Sequence, residues 1–371
     1  MWGLEYDNHM NHGRESILGM TGIRNKRKKR WAWAALAAII AAAVLFHPTW
    51  TPAIKSDNSI SVLESIDING ARHTVMIRGE NRNNPILLFV HGGPGSSEIP
   101  YVRKYQNMLE KQFTIVHYDQ RGSGKSYHFF EDYSVLTADQ LVDDLLALTE
   151  QMKTRLKQDT VILAGHSFGT YIGMKAAAKS PESFSAYIGI GQVGDHHASE
   201  QDSFAYVLKE AKAARAEADI RQLERLRPLI ESGEEMTPRS LIRKYGGASR
   251  QIDDNRDYYE GFLLNPEYNG LDVLRYVRGV AETQAGLLAE ESARPLPEIV
   301  RELAIPCYFV MGAHDYMTSV KAAQAYFELL EAPKKEFIVF EHSAHYPQFE
   351  EKERFAEWMA ATFGRTERTK G

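Results

Sequence analysis

Gly165-His166-Ser167-Phe168-Gly169 is the stretch whose reading decides the fold, and its neighbours on both sides say how. Upstream, Thr160-Val161-Ile162-Leu163-Ala164 is β-branched and apolar, the composition of a strand buried on both faces. Downstream, Thr170 to Lys179 is rich in alanine and reads as a helix. A sharp turn between them lifts the Ser167 hydroxyl above a sheet, and the flanking glycines let strand and helix approach without Cβ collisions. GxSxG alone is a weak signal, because Gly and Ser are common loop residues. Its weight comes from the rest of the chain.

His91-Gly92-Gly93-Pro94-Gly95 follows the apolar run Ile86 to Val90, so a second short strand ends in glycine-rich backbone with unencumbered N–H groups. A serine hydroxyl is a poor nucleophile until a base takes its proton, and that base needs an acceptor to fix its tautomer. Both types of residue follow late strands. Cys307 to Met311 is apolar and ends in Gly312-Ala313-His314-Asp315. Glu336 to Phe340 forms the next strand, followed by Glu341-His342-Ser343-Ala344-His345-Tyr346-Pro347. Catalytic groups in open α/β sheets collect at the carboxyl ends of strands. Ser167, Asp315 and His345 are therefore the expected catalytic residues. Two alternatives stay open: His342 as the base, and Asp195, which follows the strand Ala186 to Gly191, as the acid. His314 and His166 are expected to be local hydrogen-bonding residues; no spacing suggests a metal site, and no cofactor is expected.

The pentapeptides around His91 and Ser167, the run Asp119-Gln120-Arg121-Gly122-Ser123-Gly124-Lys125-Ser126, and the late Asp and His together resemble the prolyl aminopeptidase (proline iminopeptidase) branch of the α/β-hydrolase superfamily. The resemblance covers residues 60 to 195 and 303 to 365. It implies a mostly parallel sheet flanked by helices and a serine peptidase that removes an N-terminal residue, with related members cleaving esters or amides. The order Ser167, Asp315, His345 matches that fold, and the small residue before His345 and proline after it favour His345. An oxyanion hole from the N–H groups of Gly93 and Phe168 is also implied, each such donor being worth about 2.7–4 kcal/mol in the transition state. In that branch, glutamates from a cap hold the substrate ammonium. Tyr258-Tyr259-Glu260-Gly261 resembles one such piece, which makes Glu260 an expected substrate-binding residue. The elbow departs from the branch, whose usual Gly-Gly-Ser-Trp-Gly is changed here at His166 and Phe168.

Gly122-Ser123-Gly124-Lys125-Ser126 ends like a phosphate-binding loop, but that motif requires glycine at position 119, where the chain has Asp119. The nucleotide reading fails on its own spacing. Asp119 and Arg121 are expected to be structural. Residues 60 to 79 alternate as a first hairpin, and Thr137-Ala138-Asp139-Gln140 opens a helix carrying Leu141, Leu145 and Leu148 on one face. Phe355, Trp358, Met359 and Phe363 make a buried helical stripe. Six segments are expected: a basic cytoplasmic leader (1–30), a transmembrane anchor (31–50), a tether (51–59), the hydrolase core (60–194 and 303–371) and an inserted helical cap (195–302).

The chain has 371 residues, 43% hydrophobic content and a formal net charge of −5, which fits one large enzyme domain with its cap and argues against a nucleic-acid partner. Its one cysteine, Cys307, cannot form an internal disulfide. Arg24, Lys26, Arg27, Lys28, Lys29 and Arg30 precede Trp31 to Phe46, a run without a charge. With extension to Trp50 this run spans the hydrocarbon core, its tryptophans suit the interfaces, and the positive cluster stays cytoplasmic. The expectation is a single-pass anchor through residues 31–50 with the enzyme outside; a cleaved signal peptide and a secreted enzyme is the alternative. The expected activity is a serine hydrolase acting through an acyl-enzyme on a small molecule or short peptide. An aminopeptidase, an esterase or amidase, and a hydrolase-fold binding protein without turnover remain the readings in play.

Overall fold

The computed structural model describes residues 29–364. The leader 1–30 therefore falls, up to residue 28, outside the described residues. The chain divides into two units, residues 1–48 and 49–371.

In the first unit the described structure is helix α1, Lys29–Phe46, with mean hydropathy 1.5 and none of its length buried. It stops at Phe46 rather than running on to Trp50. Pro48 is the reason: its ring disfavours helical backbone at the residue before it. Eighteen residues of helix are about 27 Å long, close to the roughly 30 Å of a hydrocarbon core.

The second unit is built on one sheet of eight strands in the order β1-β2-β4-β3-β5-β6-β7-β8. These are β1 (Ile60–Ile68), β2 (Ala71–Gly79), β3 (Ile86–Val90), β4 (Thr114–Tyr118), β5 (Val161–His166), β6 (Phe184–Ile190), β7 (Cys307–Gly312) and β8 (Lys335–Phe340). The pairs β1–β2 and β2–β4 are antiparallel, and every other pair is parallel. Strands β3, β4, β5 and β7 are buried at every position, as central strands covered on both faces are.

Successive residues of these strands feed opposite faces. Leu88, Val90, Leu163 and Phe309 join one apolar cluster with helices α2 (Ala138–Leu156) and α3 (Phe168–Lys179). Leu87, Phe89, Ile162 and Val310 join another with Phe355 and Met359, which belong to the C-terminal helix 352–363. The period of two is the sheet's own.

Between β6 and β7 lie six helices: α4 (His196–Ala213), α5 (Glu217–Ser232), α6 (Arg239–Lys244), α7 (Asp254–Leu264), α8 (Gly270–Ala293) and α9 (Leu296–Ile299). Helices α10 (Val320–Leu329), α11 (Pro347–Glu350) and α12 (Lys352–Phe363) complete the chain.

The stretch 51–59 is not a loose tether. Arg78 is buried in β2 and must satisfy its guanidinium internally. Its Nη1 donates to Thr51 Oγ1 at 2.7 Å, to the Pro52 carbonyl at 2.6 Å and to Ser61 Oγ at 2.9 Å, while Glu110 takes Nε at 2.7 Å. The start of the expected tether is thereby bound to the sheet.

Candidate active site

Ser167 stands between β5 and α3 with φ 55° and ψ −128°. Such backbone costs a non-glycine residue of order 1–3 kcal/mol and persists only where its surroundings impose it. Here the Ser167 N–H donates to the Ile190 carbonyl at 2.9 Å, and the Ser167 carbonyl accepts from Thr170 N at 2.8 Å and Thr170 Oγ1 at 2.6 Å. Glycine at 169 is obligatory, since a Cβ there would lie 2.0 Å from the Val90 carbonyl oxygen. The 91–95 loop presses on the same turn: a Cβ on Gly92 would come 2.7 Å from the Ser167 Cβ.

That loop is tied down by His91. Its Nε2 accepts from Gln120 N at 3.1 Å, so its Nδ1 carries the proton and donates to the Gly92 carbonyl at 3.0 Å. Burial holds the His91 imidazole below its ordinary pKa, in keeping with a neutral ring. Gly93 has φ 114° and lines the cavity beside Ser167. Phe168 is the first residue of α3, where a backbone N–H has no acceptor inside the helix.

The 119–126 segment is structural. Asp119 accepts from Ser97 Oγ, from Tyr268 OH at 2.6 Å and from Lys125 N at 2.7 Å. Arg121 forms a two-point pair with Asp144 at 2.7 and 2.8 Å. Lys125 is itself spent on Asp272 at 2.5 Å.

Asp315 follows β7 and His345 follows β8. His345 Nδ1 lies 2.9 Å from Asp315 Oδ2. Met317 N and Thr318 N donate to the other carboxylate oxygen at 2.9 and 3.0 Å, and Thr318 Oγ1 lies 2.9 Å from Oδ2. Four donors thus fix a fully buried carboxylate. The His345 N–H donates to the Ala248 carbonyl at 2.9 Å, and Tyr316 N to the Gly247 carbonyl at 2.9 Å, so one cap segment braces both loops. Glu350 adds a further brace, accepting from Ala344 N at 2.9 Å and from the N–H groups of Arg250 and Gln251 at 2.7 and 2.8 Å.

Ser167, Phe168, Gly93 and His345 line one cavity of about 400 Å³. The alternatives lie elsewhere in role. Asp195 lines the cavity too, but its side chain caps α4 by accepting Ala198 N at 2.7 Å. His342 points its backbone N–H at Glu351 and does not line the cavity. Glu260 is not brought to the site. Its carboxylate pairs with Arg256 at 2.5 Å and Lys104 at 3.7 Å on the outside of α7, while Tyr258, two residues earlier, lines the cavity. Two residues are about 200° of helix, which places them on different faces.

Sequence reasoning missed a second carboxylate–imidazole pair. His166 Nδ1 lies 2.6 Å from Glu98 Oε1, and His166 Nε2 lies 2.9 Å from the His345 carbonyl oxygen. Both ring nitrogens face acceptors, so both carry protons and the ring is cationic. Burial opposes that charge, but the Glu98 carboxylate outweighs it and holds the His166 pKa above 6.5. Burial likewise opposes the Glu98 charge, and His166 outweighs it, holding the carboxyl below 4.5. Also missed were Thr318 and the cap carboxylates Glu200 and Glu291, which line the cavity but sit in helices where an acid reads as a solvated face.

A strained serine at a strand–helix turn, an imidazole backed by a buried carboxylate and two converging glycine-rich turns are the parts required for acyl transfer. The chain belongs to the α/β hydrolase fold family, whose profile matches residues 85–352, and within it is homologous to the proline-iminopeptidase branch. Two curated relatives carry that kinship. One is the probable aminopeptidase YbaC of Bacillus subtilis, 29% identical over 310 residues that cover 83% of this chain and 98% of the relative. The other is a proline iminopeptidase of Heyndrickxia coagulans, 27% identical over 296 residues, covering 78% and 94%. Among solved structures, the proline iminopeptidase of Mycobacterium smegmatis shares the fold with a TM-score of 0.56 at 16% identity, over 81% of this chain and 97% of that one. The protein is an enzyme of the serine-hydrolase type.

Proposed function

We propose that the protein is an aminopeptidase that attacks the first peptide bond of a short peptide with Ser167. His345 takes the Ser167 proton and later delivers it to the leaving amine, and Asp315 holds His345 in the tautomer that leaves Nε2 as acceptor. The N–H groups of Gly93 and Phe168 receive the oxyanion, and water then hydrolyses the acyl-enzyme.

Glu291 carries the choice of an aminopeptidase over an esterase. Its side chain is 5% exposed, it lines the same cavity as Ser167, and its one described ion-pair partner is His196 at a distant 3.8 Å. The other cavity glutamates are committed: Glu98 to His166, and Glu200 to Arg239 at 2.5 Å and Thr237 N at 2.7 Å. A buried carboxylate with unspent acceptor capacity suits a substrate ammonium.

A fluorophosphonate probe is expected to label the protein, with labelling abolished by Ser167→Ala. Free aminoacyl arylamides should be cleaved and their N-acetyl counterparts spared, and Glu291→Gln should raise KM about tenfold or more for the free amines alone, as loss of a charge-assisted contact of about 1.5–3 kcal/mol implies. Equal cleavage of blocked and free substrates breaks the aminopeptidase reading and leaves an esterase or amidase.

The N-terminal segment, residues 31–50, is read as a signal-anchor with its basic flank in the cytoplasm and the catalytic unit outside. Support comes from the unburied apolar helix 29–46 and from the tryptophans Trp31 and Trp33 at its start. Protease added to intact spheroplasts should remove the catalytic unit; protection there reverses the orientation, and release of activity into the medium selects the cleaved, secreted form.

A further inference from the structure

The exposed apolar side chains of the catalytic unit are not scattered. Among the described residues from Thr49 onward, eleven large hydrophobic side chains are exposed, and six of them fall on α7, on α8 or on the residue bonded to the loop between these helices: Trp50, Tyr259, Leu263, Leu264, Leu274 and Val277. The last five belong to the hairpin of α7 and α8. Leu263 and Leu264, 81% and 75% exposed, end the first helix, and Leu274 and Val277 lie one turn apart on the second.

Other residues join the two helices. The inner contacts of the hairpin are made by Tyr258, Phe262 and Tyr276, with ring centroids 4.9 Å apart for Phe262 and Tyr276 and 5.8 Å for Tyr258 and Tyr276. Leaving five outward apolar groups in water is costly by general measures, and soluble surfaces seldom gather them on one element pair.

Chain continuity says what covers them. Trp50 N donates to the Pro266 carbonyl at 3.0 Å, and Thr51 Oγ1 donates to Glu267 Oε1 at 3.1 Å. Both acceptors are in the loop that joins α7 to α8. The catalytic unit is therefore entered by the chain at the tip of this hairpin, four residues after the apolar helix ends at Phe46. Four extended residues reach at most about 14 Å. Those four residues are all the chain from the end of the apolar helix through Trp50.

We infer that the α7–α8 hairpin is a lipid-docking surface, whose leucines and Val277 enter the interfacial layer of the bilayer that holds the N-terminal helix. The inference rests on reading residues 31–50 as a membrane anchor. Trp50, at the hinge between helix and hairpin, has the amphipathic ring favoured at headgroup level. The same hairpin walls the active site through Tyr258, Tyr276 and Glu291, so the cap segment that contacts substrate is also the one that contacts lipid.

The test uses the full chain reconstituted in vesicles of phosphatidylethanolamine and phosphatidylglycerol. Cys307 is fully buried, so a cysteine placed at an exposed position is the one that a bimane dye labels. Dyes on Leu264→Cys and Val277→Cys are expected to be quenched by doxyl lipids about twofold or more relative to Leu329→Cys, an exposed site on α10, as interfacial burial predicts. Leu36→Cys reports the anchor separately. If positions 264 and 277 match 329 while 36 is quenched, the anchor stands and the docking surface is refuted. If 264 and 277 are quenched and 36 is not, docking stands without a spanning helix. If none is quenched, both fall. Shielding of 264 that needs no lipid means a second copy of the chain covers the hairpin, which also overturns the proposal.

Discussion

Two carboxylate–imidazole pairs stand side by side at the carboxyl edge of this sheet, with the rings of His166 and His345 4.8 Å apart. In the pair that follows β7 and β8, Asp315 takes one nitrogen of His345, and the described hydrogen bonds of that ring all run through Nδ1. In the pair that joins the 91–98 loop to β5, Glu98 takes one nitrogen of His166 and the His345 carbonyl takes the other. The chemical groups are nearly the same. What differs is the second nitrogen: spent on a fixed backbone acceptor, the ring becomes a buried cation that holds a neighbour in place; left toward the cavity, it can exchange a proton with a substrate. His166 braces the loop of His345, so one pair is the scaffold of the other.

The sharpest way to break this distinction is to unsettle each carboxylate in turn. Asp315→Asn should lower kcat about ten-thousandfold, because the amide favours the wrong His345 tautomer. Steady-state rates on the best arylamide would measure it, and a loss below tenfold would remove Asp315 from the proposed role and reopen Asp195. Glu98→Gln should act on stability first. Removing one partner of a buried pair costs about 3–5 kcal/mol, because the other group must either keep an uncompensated charge or give up its proton and the bonds that proton makes. Urea unfolding of the catalytic unit in the full chain would show that loss. A variant of unchanged stability with kcat reduced a thousandfold would make His166, rather than His345, the proton carrier.

The contrast also explains what could be read from the sequence. Strand, elbow and helix around Ser167 were legible because glycine spacing and apolar runs are local signals, and the sheet edge follows from them. The places of Asp315 and His345 at the sheet edge were legible because each lies just past a strand. Glu98 was not: it meets His166 across 68 residues, and nothing near it in sequence marks an acid that will be buried. Glu291 sits in the last turn of a helix, beside Glu290, and looks like solvated surface until α8 is laid over the cavity. Glu260 failed for the opposite reason, since the likeness of a four-residue piece carried no information about which helical face would turn inward. The end of α1 was misread in a smaller way, Pro48 stopping the helix before Trp50.

The smallest expected effect is the most specific to the scaffold pair. His166 has its pKa raised in the folded protein, so below the ordinary value of 6.5 its contribution is complete, and as pH rises through the raised value the proton leaves and the contribution is lost. Glu98 has its pKa lowered, so its contribution is complete above the ordinary 4.5 and is lost as pH falls through the lowered value. The pair therefore stabilises the fold in full between the ordinary values of 4.5 and 6.5, and its contribution fades beyond both ends of that window. On the alkaline side, where the folded protein holds a proton the unfolded chain has released, stability should decline by up to about 1.4 kcal/mol per pH unit. The decline belongs to His166 only if Glu98→Gln removes it: without the carboxylate the buried ring has no reason to stay charged, and the variant's unfolding free energy should be flatter with pH over the same interval. If wild type and variant fall in parallel, the titrating group is not His166, and the scaffold pair is held by hydrogen bonds without a cation.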